Sequence, residues 1–185
     1  MNESGNKEST KISNTWLGVL LVAGCSASAA IPRPLPAPNL DRGIELYREG
    51  RFAEAAQVLE QAAADSPREA RAWTYLGLAR VKLNQPEDAM PALAKAVELD
   101  GKSAEAHFGK GLAHAHLDEL DEAIAELETA VKLNASHAYA HYYLGLAFDK
   151  KGREDRALLH LERFLDLAPK APEAPQVREL LSRLR

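Results

Sequence analysis

Only one cysteine occurs in the 185 residues, and aromatic side chains make up only 6% of them. A lone cysteine, Cys25, excludes an intramolecular disulfide framework and any multi-cysteine metal centre. The apolar fraction is 46%, much of it alanine, and so few aromatics suit closely packed helices better than a sheet-based core. The net charge is a mild −4 with both signs interspersed; no basic run points to nucleic acid and no acidic tail to a solvating role. No apolar stretch reaches the about 20 residues that a membrane-spanning helix needs. Also missing are a Gly-x-Ser-x-Gly elbow, an HExxH pair and a Gly-rich loop with phosphate-binding spacing. The sequence therefore predicts no enzyme, no cofactor and no small-molecule substrate. At this length the chain holds one domain with a substantial core.

Cys25 says more by its place than by its number. Met1 to Thr15 is polar, with Lys7 and Lys11 beside Glu3 and Glu8. The apolar run Trp16 to Ala23 follows, and Gly24-Cys25-Ser26 closes it. A polar start, a short apolar centre and small residues before a cut site describe an export signal. Val22-Ala23-Gly24-Cys25 resembles the bacterial lipobox, although the leader carries no net positive charge and valine stands three residues before the cysteine. The resemblance implies a lipoprotein signal peptide over 1–24 and a mature chain that starts at a lipidated Cys25. It further implies an exported protein anchored in a membrane. Ser26 after the cysteine favours the outer membrane, facing the periplasm, in a Gram-negative organism. From Ser26 to Pro38 the prolines at 32, 34, 36 and 38 prevent helix and favour a semi-rigid extended tether, so 25–38 reads as lipid and spacer.

Beyond the tether the chain repeats itself every 34 residues. Gly43, Gly77, Gly111 and Gly145 share one phase, as do Ala55, Ala89, Ala123 and Ala157. Ala62, Ala96 and Ala130 continue it, with Phe164 at the fourth place. A fixed period of this length signals a solenoid of helix pairs. Breaks fall at Glu49-Gly50-Arg51, Asn84-Gln85-Pro86, Asp118-Glu119 and Lys151-Gly152-Arg153, where the two glycines fit left-handed helix C-caps. Eight helices of 11 to 15 residues follow. Pro36 and Pro38 clip the first, which is expected to begin near Asn39 to Asp41. Pro91 implies that its helix either starts late, with Asp88 as N-cap, or kinks.

These small residues at the eighth, twentieth and twenty-seventh positions, with Trp73, Leu76, Leu144 and Pro169, resemble the tetratricopeptide repeat. The resemblance covers 136 residues and implies an all-α, right-handed α-solenoid of four helix pairs. Its copies span about 36–69, 70–103, 104–137 and 138–171, so that repeats fill 39–171. Val177, Leu180, Leu181 and Leu184 form one apolar face in the remainder, 172–185, which reads as a capping helix packed over Phe164.

Six histidines crowd the third and fourth copies: His107, His114, His116, His137, His141 and His160. His137 and His141 stand four apart, where two ligands would share a helix face, so a metal or enzymatic role there is one alternative. Packing histidines are the blander one, because His107 and His141 occupy the position of Trp73. A structural oligomer stacking through the repeat ends is another alternative.

The family likeness implies a concave groove lined by the first helix of each pair. Carried over by position, the lining is Tyr47, Arg71, Tyr75, Lys82, Phe108, Leu112, His116, Tyr139, Tyr142, Tyr143, Leu146 and Lys150, with Arg48, Thr74, Leu78, Glu105 and Asp149 alongside. Aromatics there suggest a peptide or helix held by apolar anchors. The expected function is a non-catalytic, membrane-tethered adaptor for envelope proteins, in pilus or secretin assembly or in cell-wall enzyme scaffolding. Phe108, Tyr139 and Tyr142 are the expected anchors, and Trp73 the expected architecture.

Overall fold

The computed structural model describes residues 38–185; Cys25, the signal-like stretch and most of the proline tether lie outside the described residues. Nine α-helices and no strand are found among the described residues. They are α1 (Pro38–Arg48), α2 (Phe52–Asp65), α3 (Ala70–Lys82), α4 (Pro86–Leu99), α5 (Ala104–His116), α6 (Leu120–Leu133), α7 (Ala138–Lys150), α8 (Glu154–Leu167) and α9 (Ala174–Leu184).

Consecutive helices pack as the pairs α1–α2, α3–α4, α5–α6 and α7–α8, and each second helix then meets the first helix of the next pair. The first helices also touch one another, α1 to α3 to α5 to α7, whereas among the described residues no second helix reaches the next second helix. The first helices therefore form a continuous inner layer and the second helices a more widely spaced outer one, the arrangement that curves a solenoid.

One contact builds every pair. A Cβ on Gly43 would lie 2.6 Å from Leu59, on Gly111 2.6 Å from Leu127 and on Gly145 2.7 Å from Leu161, and Gly77 meets Leu93 in the same way. These four leucines, sixteen residues after their glycines, are fully buried. The period thus encodes a leucine knob and a glycine hole that bring two backbones together.

The turn inside each pair is equally regular. The residues with positive φ are Gly50 (79°), Asn84 (59°), Asp118 (61°) and Gly152 (69°), one per repeat at one position. The next residue's N–H then donates to a carbonyl five back, as in Arg51 to Leu46 and Arg153 to Phe148, both 2.9 Å. This closes the helix end in a Schellman motif. Asn and Asp tolerate the left-handed region better than other non-glycine residues, which explains their use at 84 and 118.

The structure places both helices that the prolines touch. Helix α4 begins at Pro86, so it does not start late, and Pro91 lies inside it. Its ring is exposed, on the side where water satisfies the carbonyl that loses its partner. Helix α1 takes up the chain at Pro38 itself, whose missing N–H costs nothing in a first turn.

At the far end, Phe164 is fully buried against Leu161, Val177 and Leu181, with Leu180 and Leu184 packed around them. Helix α9 thus covers the apolar surface that α8 would otherwise show to water. Arg185 reaches back to Glu162 at 2.5 Å and Arg178 donates to the Pro169 carbonyl at 3.1 Å.

Candidate functional site

The inner layer carries the residues expected to line the groove, and burial divides them. Leu112 is fully buried and Phe108 is 6% exposed, the latter covered by the His137 ring at 4.6 Å and Tyr143 at 6.0 Å. Leu78 is likewise fully buried, and Thr74 is turned inward with its hydroxyl donating to the Ala70 carbonyl at 2.9 Å. These four hold neighbouring first helices together and offer a partner no surface. Gly109 explains part of this: a Cβ there would lie 2.5 Å from Leu93 of α4 and 3.3 Å from Leu78 of α3, so α5 packs closely into the preceding pair.

Tyr47 and Tyr75 are half-buried against each other at 5.5 Å, and Tyr47 also meets Phe52 at 5.4 Å. Burial pushes the Tyr47 phenol above its ordinary value, with Glu105 adding to it. Tyr139 and Tyr142 lean on Phe164 at 5.9 and 5.1 Å, and the Tyr139 hydroxyl donates to Glu173 at 3.2 Å. Both rings serve the junction between α7 and the cap, and Tyr139 still keeps 38% of its surface open. Nothing in the period alone announced Glu173 as a partner of Tyr139.

A further open part of the inner layer lies at the C-terminal ends of α5 and α7. A cavity of about 250 Å³ is lined by Ala115, His116, Leu120, Tyr143, Leu146, Ala147 and Lys150. Its wall is mainly apolar. The polar atoms come from His116 and Lys150, both exposed, and from the Tyr143 phenol, which burial raises and so keeps as a hydrogen-bond donor at neutral pH. Lys150 reaches Asp118 at 3.3 Å, an exposed pair that a partner's carboxylate can replace at little cost. His116 and Lys150 continue a row with Arg48 and Lys82, one exposed basic residue at the end of each first helix. Such residues suit the negative end of the helix dipole, and here they also set the sign of the groove's rim. Leu120 comes from the start of α6 and was not among the expected lining.

His137 and His141 resolve into packing roles. His137 caps α7, its Nδ1 accepting from the Ala140 N–H at 3.1 Å, and its Nε2 faces Glu105 at 3.1 Å. His141 faces His160 instead, with 3.0 Å between their Nδ1 atoms. One being a cap and the other a mid-layer ring, His137 and His141 do not aim at a common point as two ligands on one helix face would. Among the described residues no three His, Cys, Asp or Glu side chains converge as a ligand set. The spacing of His137 and His141 serves two separate packing contacts in this structure.

The same helical array occurs in solved structures. A crystal structure of MamA protein has 31% sequence identity, covers 79% of this chain and 80% of its own, and superposes with a TM-score of 0.63. MamA of Desulfovibrio magneticus has 25% identity over 75% of this chain and 78% of its own, with a TM-score of 0.62. A thermophilic repeat protein of Thermus thermophilus, at 24% identity over 79% of each chain and a TM-score of 0.66, shares the fold. In sequence, the peroxisomal targeting signal 1 receptor of Dictyostelium discoideum is 34% identical over 62 residues, and the match spans 34% of this chain and 10% of that receptor. A tetratricopeptide repeat model matches residues 40–98, 76–128 and 119–172. With four glycine–leucine pairs in one register and these matches over the whole array, the chain belongs to the tetratricopeptide repeat family, whose members bind protein partners.

Proposed function

We propose that this chain is a non-catalytic, membrane-tethered adaptor that holds an envelope protein by a short segment, peptide or helix, laid across its inner face. The observation that carries the reading is the cavity between α5 and α7: apolar walls from Tyr143, Leu146 and Ala147, flanked by His116 and Lys150. An apolar side chain of the partner enters the cavity, and a neighbouring carboxylate meets the row Lys82, His116 and Lys150. A concave apolar site with a few polar groups at its mouth is the usual form of a specific recognition site. A relative named as a receptor for a targeting signal supports recognition of a short segment.

The tether rests on the sequence. A thioether-linked lipid with further acylation at Cys25 holds a protein firmly, since each buried methylene contributes about 0.8 kcal/mol. The proline-rich spacer then sets the repeats off the surface. Two measurements separate the parts of this reading. Cys25→Ser is expected to abolish fatty-acid labelling and release the protein from membranes; retained labelling would overturn the anchor. His116→Glu with Lys150→Glu is expected to weaken partner capture by at least ~10-fold, the effect of setting two negative charges where the partner's carboxylate is received. The thermal midpoint should stay unchanged, and undiminished capture would move the site off this cavity.

A further inference from the structure

Two positions nineteen residues apart meet in successive repeats, and their chemistry changes from one copy to the next. At the first position a ring N–H points at the carbonyl of the preceding turn. Trp73 Nε1 donates to Pro67 at 3.0 Å, while His107 Nε2 lies 3.3 Å from the Gly101 carbonyl and His141 Nε2 3.3 Å from that of Ala135. The second position supplies the partner for the remaining ring nitrogen. In the third repeat it is Glu126, 2.6 Å from His107 Nδ1 and also bonded by Lys110. In the fourth it is His160, whose Nδ1 lies 3.0 Å from that of His141.

In the neutral pair the bonds fix the tautomers. With Nε2–H of His141 given to Ala135, its Nδ1 carries a lone pair, and the bond between the rings requires His160 to donate from Nδ1. A first proton added to His141 Nδ1 leaves one N–H between the two Nδ1 atoms only if His160 moves its own proton to Nε2; a second places two N–H groups face to face, and the contact is lost. Its surroundings give no relief. Arg156 and Arg163 of α8 and His137 at the head of α7 all act against added positive charge, and no carboxylate bonds either ring among the described residues. From α6, Glu128 engages Arg156 at 3.3 Å rather than a ring. Phe148 stacks on His160 at 5.7 Å and carries the Arg156 guanidinium over its face at 4.5 Å. In the third repeat the opposite holds: the partner is the Glu126 carboxylate, an acceptor that faces the His107 ring and does not oppose an added proton.

We propose that His141 and His160 form an acid-released latch between α7 and α8, while the matching pair His107 and Glu126 keeps the third repeat shut as pH falls. Burial holds both latch rings below the ordinary value of 6.5, His160 at about 4. An opened fourth repeat returns them toward 6.5, so below that pH the open form binds protons that the closed form refuses. Closure is full above about 6.5 and weakens as pH falls from there toward 4. The latch stands apart from the partner reading, because it is read on the free protein.

The test is amide hydrogen exchange on the full chain at pH 7.5 and pH 5, corrected for the intrinsic rate. Opening of α7–α8 relative to α5–α6 is expected to rise ~10-fold or more at pH 5, from one histidine titrating through this window. His160→Glu copies the third repeat's pair into the fourth and is expected to remove that rise; Glu126→His is expected to create one in α5–α6. Equal protection of the two pairs at both pH values overturns the latch, as does a rise that survives His160→Glu. Nitrogen-15 imidazole spectra of the unmodified protein give a second readout that needs no variant. At pH 6 they should show both rings neutral, with the proton of His141 on Nε2; a charged ring at that pH overturns the proposal.

Discussion

Glycine at the eighth position and leucine at the twenty-fourth are the pair on which each repeat closes. Leu127 is fully buried over Gly111, so Leu127→Ala leaves a cavity that the rigid glycine side does not fill. A loss of about 3 kcal/mol is expected, read as a shift of the urea midpoint with the slope unchanged. Enlarging the other side fails for a different reason: a side chain on Gly111 would press on Leu127 and on the Ala123 carbonyl at 3.2 Å, which is backbone and does not yield cheaply. This pair was legible in the sequence because it recurs four times in one phase. The exposure of single groove positions was not. Leu112 and Leu146 hold the same repeat position, yet one is sealed by its neighbours and the other lines the cavity. The period gives direction on the helix, while burial depends on which side chains the adjacent copies bring. The pairing of His141 with His160 was hidden for the same reason, since its third-repeat counterpart is a glutamate.

At the scale of helices, the array is defined by how each one ends. Gly152 sits at φ 69° with no atom near a prospective Cβ, so Gly152→Ala tests backbone conformation free of any clash. It is expected to destabilise by about 1 kcal/mol, the cost of the left-handed region for an L residue. Asn84→Gly, at φ 59°, should be neutral or stabilising by thermal melt. The last helix tests the logic of the cap. Phe164→Ala is expected to remove about 3 kcal/mol, because an aromatic ring leaves a fully buried site. Hydrogen exchange should then localise the loss to α8 and α9, since each repeat contacts only its neighbours. Uniform loss across α1 to α9 would show instead that the array unfolds as one unit. Phenylalanine in place of alanine at 164, followed by an amphipathic tail, made this cap readable from sequence. Pro91 was harder to read, because the pattern did not show that its ring would face water.

For the molecule as a whole, four helix pairs produce one curved inner surface on which little is left unpacked. Most of the aromatic rings expected to grip a partner hold the layer together instead, Phe108 under His137 and Tyr142 against Phe164. The proposed binding site is therefore the cavity between α5 and α7, at His116, Tyr143, Leu146 and Lys150. A contact made through exposed basic side chains is screened by salt, so partner affinity should fall as ionic strength rises from about 0.05 to about 0.5 M, because the Debye length shrinks from about 14 to about 4 Å. The most direct measurement places a photoreactive side chain at position 146, in the cavity, and in a separate protein at position 159, where Leu159 is 64% exposed on the second helix of its pair. Irradiation of cells making the full chain should give a discrete adduct from 146 that disappears with His116→Glu and Lys150→Glu, and none from 159. Adducts from 159 alone, or from 146 undiminished by the charge reversals, would contradict a partner held in the inner groove.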